Sequence, residues 1–326
     1  MVTKKINSFE ASIKEAVSAL ERANKILVVS HMNPDGDTLG CMLGLGLSLI
    51  QKGKHVFLAC QDAVPTRFQF LPGSELVQSH CQEKVDAAVA VDCGGIKQLG
   101  GLKDAFLKAK TSIQVDHHDF GDAFGKIQVV DPEASAVGEI VYRLIEVMKV
   151  EITPAIATCL LTSIIVDTGA FRFSNIRQKT FEICAKLSKM GVDLHQLIEE
   201  SYWIKSRSMA LLSSHAMQKA KFSRNGAIAW TTVTQSTMRR YRAGLSDADS
   251  VADDLRCIEG VKIAALFRET ERGNYRVSLR SKKGIHVALV AQHFGGGGHH
   301  NSAGCSIPKE GSAKNKLLKA LEELVE

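Results

Sequence analysis

Three short apolar runs rich in β-branched or small residues, KILVVS (25–30), DAAVAV (86–91) and TSIQV (111–115), recur through the first half of the chain. A strand with one face in water alternates apolar and polar residues, whereas KILVVS and DAAVAV run continuously apolar. They therefore suit parallel strands covered on both faces, and the segments between them have helical spacing. Phe9, Ile13, Val17 and Leu20 mark a helix over 7–23, and TLGCMLGLGLSLIQKG reads as a second helix ending at Gly53. Gly40, Gly44 and Gly46 lower its helix propensity but permit close packing on a sheet. HVFLAC adds a strand, and IKQLGGLKDAFLKAK, ASAVGEIVYRLIEVM and TPAIATCLLTSIIVD read as helices, the last with Pro154 near its start. This alternation predicts an α/β fold with a doubly wound, mainly parallel sheet.

From about residue 219 the pattern changes. AKFSRNGAIAWTTV reads as a hairpin turning at Asn225-Gly226. VKIAALFRET and YRVSLRS read as a second hairpin turning near Gly273, followed by helix IHVALVAQHF, a glycine run and a terminal helix. The expected organisation is a catalytic domain over 1–189, a helical connector over 190–218 and a smaller α+β domain over 219–326.

Each acidic or histidine-bearing motif of the first domain directly follows an apolar segment. KILVVS precedes His31, Asp35 and Asp37; DAAVAV precedes Asp92; TSIQV precedes Asp116, His117 and His118; LLTSIIV precedes Asp167. The carboxyl ends of parallel strands lie along one edge, where ligands bind. Any one motif has a plainer explanation: NPDGD is turn chemistry, a lone aspartate after a strand caps a helix, and a histidine pair is often solvated. Their joint occurrence favours convergence of His31, Asp35, Asp37, Asp92, His117, His118 and Asp167. Such a concentration of carboxylates requires counter-ions. Oxygen and imidazole donors without sulfur suit manganese, zinc, iron or cobalt, and seven groups exceed the needs of one ion.

The bulk properties set limits. The chain has 326 residues and a net charge of +6 with dispersed lysines, which suits an anionic ligand without specifying one. Its eight cysteines show no CxxC spacing, and no run is long enough to cross a bilayer. The N-terminus lacks an apolar signal core, so a cytoplasmic protein is expected.

HMNPDGD (31–37), VDCG (91–94), VDHH (115–118), VDTGAFRFS (166–174) and GGGGHHNSAG (295–304), in this order, resemble the DHH phosphoesterase superfamily over nearly the whole chain. The resemblance implies two divalent cations, usually manganese, in a cleft between the domains. His31, Asp35 and Asp92 would hold one ion; Asp37, Asp92, His117 and Asp167 would hold the other, with Asp92 shared. His118 would face the scissile phosphate, and Asp116 would fix a histidine ring. In the second domain the glycine run, Gly296, Gly297 and Gly298 with His299, would meet the nucleotide end of a substrate. Arg280, with Ser281 beside it, and Arg276 on the same strand face are candidate phosphate partners. Arg172 is a weaker candidate.

The implied activity is hydrolysis of short RNA or DNA oligonucleotides to mononucleotides and removal of the 3′-phosphate of 3′-phosphoadenosine-5′-phosphate (pAp), in a possible homodimer. Alternatives are a phosphodiesterase for linear dinucleotides derived from cyclic ones and a non-catalytic nucleotide-binding regulator. The C-terminal motif speaks against an inorganic pyrophosphatase, and the chain length against a RecJ-like processive exonuclease.

Overall fold

The computed structural model describes residues 2–118, 121–282 and 284–325; the side chains of residues 2–8, Ser246 and His299 lie outside the described set. The chain divides into two compact units, Met1–Ile204 and Lys205–Glu326.

The first unit runs α1 (Val2–Arg22), β1 (Lys25–Ser30), α2 (Gly36–Gln51), β2 (His55–Ala59), β3 (Val77–Gln78), β4 (Ala87–Val91), α3 (Lys103–Lys108), β5 (Thr111–Asp116), β6 (Ile127–Val130), α4 (Val137–Val147), α5 (Pro154–Asp167), α6 (Gln178–Ser188) and α7 (Leu194–Ile198). Its six strands are all parallel, in the order β3-β2-β1-β4-β5-β6. The strand order reverses between β1 and β4, the place where doubly wound sheets open a crevice. The continuous apolar runs have the expected cause. Ile26, Val28, Val89 and Ile113 pack in one core with α1, α2, α4 and α5. Leu27, Val29, Ala88 and Ala90 pack in another, with Leu99, Leu102 and Phe106. Each fully buried aliphatic side chain contributes about 1.5–3 kcal/mol.

Two local expectations change. IKQLGGLKDAFLKAK is not one helix: a 3₁₀ stretch, Ile96–Leu102, kinks at Gly100, whose φ is 54°, before α3 begins. The paired glycines let the chain turn there, and the Gly101 N–H donates to Gln61 Oε1. The glycines of α2 also differ in use. Only Gly46 faces the sheet, against Leu58, whereas Gly40 and Gly44 face α5. A Cβ at Gly40 would stand 2.4 Å from the Cys159 carbonyl oxygen and 2.7 Å from the Ser163 nitrogen.

The second unit runs α8 (Arg207–Gln218), β7 (Lys221–Phe222), β8 (Ile228–Val233), α9 (Gln235–Tyr241), α10 (Val251–Arg256), β9 (Ile263–Glu269), β10 (Asn274–Ser281), α11 (Val287–His293), β11 (Gly297–His299), β12 (Ser302–Pro308) and α12 (Ala313–Glu322). The stretch expected to connect the domains is shared out: α7 and a π-helical turn, Glu199–Trp203, belong to the first unit and α8 to the second. The second sheet has the order β11-β12-β10-β9-β8-β7, antiparallel except for the β8–β9 pair. Both hairpin turns fall at the expected glycines, Gly226 (φ 72°) and Gly273 (φ 73°). One face packs with α8, α9 and α10, and the other with α11 and α12. No helix among the described residues is long and apolar enough to cross a membrane.

Candidate metal centre

The four motifs of the first unit meet at the carboxyl edge of its sheet. His31 follows β1, Asp92 follows β4, Asp116 ends β5 with His117 and His118 behind it, and Asp167 ends α5. Asp35 caps the N-terminus of α2, its carboxylate accepting from the Thr38 N–H at 3.0 Å, and Asp37 lies in that helix's first turn. Asp92 takes the left-handed conformation with φ 55°, which aspartate tolerates better than most residues. Three groups have ligand atoms within 4.8 Å of one another: His31, Asp35 and Asp92; Asp37, His117 and Asp167; and Asp92, His117 and His118.

Their orientation follows from the atoms that hold them. His31 Nδ1 lies 2.7 Å from the Met32 carbonyl oxygen, and His117 Nδ1 lies 3.0 Å from that of Ala134. A carbonyl only accepts, so each Nδ1 carries the proton and each Nε2 turns inward. His31 Nε2 lies 3.5 Å from Asp92 Oδ2, and His117 Nε2 lies 3.7 Å from both Asp37 Oδ2 and Asp167 Oδ2. Those separations are long for hydrogen bonds. They fit two ligand atoms around one cation with bonds of about 2.0–2.2 Å. Asp37 accepts from the Val137 N–H at 3.0 Å, at the start of α4, and from the Ser163 hydroxyl. Asn175 Nδ2 donates to the Asp167 carbonyl oxygen at 3.1 Å. Asp116 Oδ1 lies 2.7 Å from His118 Nδ1.

Without cations, protons balance the charge. Burial opposes ionisation of His31, but the nearby Asp92 carboxylate and its charge outweigh it and raise its pKa to about 9. Burial likewise opposes ionisation of His117, but Asp167, Asp37 and Asp92 raise its pKa to about 10. Burial, then the charges of Asp92 and Asp167, push Asp37 well above the carboxylate range, and burial pushes Asp167 up to about 6. Burial would raise Asp92 too, but His31, His118 and His117 hold it below the ordinary range. Buried carboxylates that keep protons beside imidazoles facing them make a donor set that fits divalent cations.

The raised values at His31, His117, Asp37 and Asp167 mean that the folded, cation-free unit holds these protons more tightly than the unfolded chain. The associated stability is full below the unfolded pKa values and is lost as pH rises through the folded ones. The low value of Asp92 acts only in acid. The Tm difference between manganese-loaded and EDTA-treated protein is therefore expected to widen from about pH 6 to about pH 9, the span set by Asp167 and His31. Thermal melts check this, and a constant or narrowing difference would contradict it.

Arg280 Nε donates to Asp253 Oδ1 at 3.0 Å, and Arg276 is exposed on the same face of β10. Ser281 is buried, its hydroxyl donating to the Ile285 carbonyl at 2.6 Å, so that hydroxyl is committed within the fold. The glycine run is not an open loop of four free N–H groups. Gly295 and Gly296 donate to the Gln292 and Ala291 carbonyls at the end of α11, and Gly297 and Gly298 enter strand β11. The helix end takes up these donors because its last carbonyls otherwise lack partners. The His299 side chain lies outside the described set. Arg172 Nε donates to the Gly169 carbonyl, and its guanidinium lies 5.3 Å from the Tyr202 ring centroid.

Sequence reasoning missed Thr38, Ser163 and Asn175. Thr38 Oγ1 lies 2.6 Å from both His31 Nε2 and Asp92 Oδ2, linking two motifs. Its position directly after Asp37 was the available signal, whereas nothing in the spacing of Ser163 or Asn175 marked them.

Residues 25–164 match the DHH family, N-terminal domain, and residues 232–326 match the DHHA1 domain. The bifunctional oligoribonuclease and PAP phosphatase NrnA of Thermus thermophilus is 30% identical over 317 residues, 95% of this chain and 93% of its own. Its Bacillus subtilis namesake is 26% identical over 313 residues, 95% and 97% of the two chains. Among solved structures, an exopolyphosphatase-related protein from Bacteroides fragilis superposes with a TM-score of 0.89 at 26% identity, covering 96% of each chain. RecJ from Thermus thermophilus in complex with Mn2+ shares the fold at a TM-score of 0.53 and 15% identity, covering 96% of this chain and 54% of its own. With its acid–histidine crevice at the sheet's switch point and both domain matches in order, the chain belongs to the DHH phosphoesterase family, in its NrnA-type branch.

Proposed function

We propose that this hydrolase cleaves short oligonucleotides to mononucleotides and removes the 3′-phosphate of pAp, using two divalent cations. The observation that carries the reading is the set of three overlapping ligand groups at the β1/β4 edge, two of which share Asp92 and two of which share His117. The substrates are those in the names of the relatives aligned over nearly the whole chain. In this reading His31, Asp35 and Asp92 hold one ion, and Asp37, Asp92, His117 and Asp167 hold the other. Manganese is the proposed ion because the oxygen and imidazole donors accept it and RecJ, which shares the fold, is known in complex with Mn2+. When bound, divalent cations supply a hydrolytic nucleophile at neutral pH and neutralise phosphoryl charge.

The chain's own residues do the rest. Carbonyl oxygens of Met32 and Ala134 fix the two ligand rings, and Asp116 orients His118 through Nδ1. Burial opposes ionisation of His118, but the Asp116 contact and the charges of Asp116 and Asp92 raise its pKa, and in this reading His118 is the proton donor to the phosphate or leaving oxygen. Asp116→Asn is expected to lower kcat about a hundredfold, the lower end of a general acid's contribution, with metal content unchanged. Loss of metal from that variant would contradict the assigned role. The eight free cysteines support the cytoplasmic placement.

The test is a substrate panel with manganese and with EDTA: pAp, RNA and DNA dinucleotides, a five-nucleotide RNA, linear and cyclic dinucleotides of the signalling type, and pyrophosphate. Manganese-dependent release of phosphate from pAp and of mononucleotides from short RNA supports the proposal. Turnover confined to signalling dinucleotides would replace the substrate class, and no turnover of any substrate would favour a regulator.

A further inference from the structure

The second unit carries a recess that none of the above explains. It has a volume of about 210 Å³ and is lined by Lys219, Lys221, Trp230, Thr231, Thr232 and Lys314. The sequence brings these together in three ways. Lys221 and Trp230 are cross-strand partners in the β7–β8 pair, so they share a sheet face. Thr232 is two residues along β8 from Trp230 and returns to that face. Lys314 comes from the first turn of α12.

Its electrostatics lack balance. Among the described residues none of the three lysines forms an ion pair with a carboxylate. Lys314 Nζ donates to Thr232 Oγ1 at 2.5 Å and lies 4.4 Å from the Phe267 ring centroid, which secures the ammonium without neutralising it. Burial, then the charge of Lys221, hold the Lys314 pKa below its ordinary value. The first turn of α12 contains no acidic residue, so the positive end of the helix dipole adds to the lysines. A fold gains nothing from gathering like charges, whereas a bound anion would relieve all of them at once. The half-buried indole of Trp230 beside the ammoniums adds a stacking surface, the pairing by which proteins hold a phosphate and its base together.

We propose that this recess binds a nucleotide, with its phosphate between Lys219, Lys221 and Lys314 and its base against Trp230. None of these residues belongs to the carboxylate–histidine cluster, and the site does not depend on the hydrolytic reading.

The chain has two tryptophans, Trp203 and Trp230, and Trp203 is exposed, so the Trp203→Phe full-length protein reports on Trp230 alone. Its emission is titrated with AMP and, separately, with inorganic phosphate. The expected result is a saturable change, half-complete at a lower concentration for AMP than for phosphate. Lys221→Ala, at an exposed position, is expected to weaken AMP about tenfold, the effect of losing one charged hydrogen bond. Lys314→Met, which keeps the aliphatic stem over Phe267, is expected to do the same. No saturable change, equal response to phosphate and AMP, or unaltered affinity in both lysine variants would overturn the proposal.

Discussion

Asp92→Asn is expected to lower manganese-dependent turnover of pAp by about a thousandfold or more while leaving the protein folded. The reason is the position of Asp92 in two of the three ligand groups, one with His31 and Asp35 and one with His117 and His118. Removing its charge weakens the hold on both proposed cations, and metal catalysis supplies several kcal/mol of transition-state stabilisation. Asparagine is the informative replacement because it tolerates the left-handed conformation at this position, φ 55°, whereas alanine would add backbone strain. The measurements are kcat and bound metal per chain on the same preparation. Turnover within tenfold of the parent would remove Asp92 from the proposed bridging role.

Gly40→Ala is expected to destabilise the first unit by about 3 kcal/mol, the upper end of the usual cost of overpacking. The added Cβ would meet backbone, the Cys159 carbonyl oxygen at 2.4 Å and the Ser163 nitrogen at 2.7 Å, so no side-chain rotation relieves it. Helices α2 and α5 must separate. For a unit of this size the loss corresponds to a fall in Tm of roughly 6–12 °C. The damage should reach the site as well, because Ser163 donates to Asp37 and α5 ends in Asp167, so manganese affinity should fall with stability. Gly95→Ala is the control: its backbone is extended, and the nearest atom to an added Cβ is Asp122 Oδ2 at 3.9 Å. Its Tm should stay within about 2 °C of the parent, as for a surface change worth at most ~0.5 kcal/mol. Equal Tm values for the two variants would show that the close approach of α2 and α5 is not under the constraint described.

The sequence was most legible where local pattern and burial state the same thing. KILVVS and DAAVAV could be read as doubly covered strands because Ile26, Val28 and Val89 meet one core while Leu27, Val29, Ala88 and Ala90 meet the other. The turns at Gly226 and Gly273 were legible because positive φ favours glycine. The residues at the strand ends were legible by type, since carboxylates and imidazoles after buried strands need a partner of opposite charge.

The rest depended on contacts between distant segments. Asp37 is held by the N–H of Val137, one hundred residues away, and a backbone donor leaves no mark on residue identity. Ser163 acts through the close contact of α2 and α5 that Gly40 makes possible, and Asn175 through its bond to the Asp167 carbonyl at the end of α5. The glycine run was legible as a motif, but not that its first two N–H groups close the end of α11 and its next two residues enter a strand. The three lysines beside Trp230 are dispersed over nearly one hundred positions and meet only when β7, β8 and α12 pack together. By itself the sequence determined the doubly covered strands, the glycine turns and the kinds of ligand atom, because hydrophobic period and charge are local properties. The tertiary structure alone decided which of those atoms face one another, because that depends on the register and close approach of segments that the chain order keeps apart.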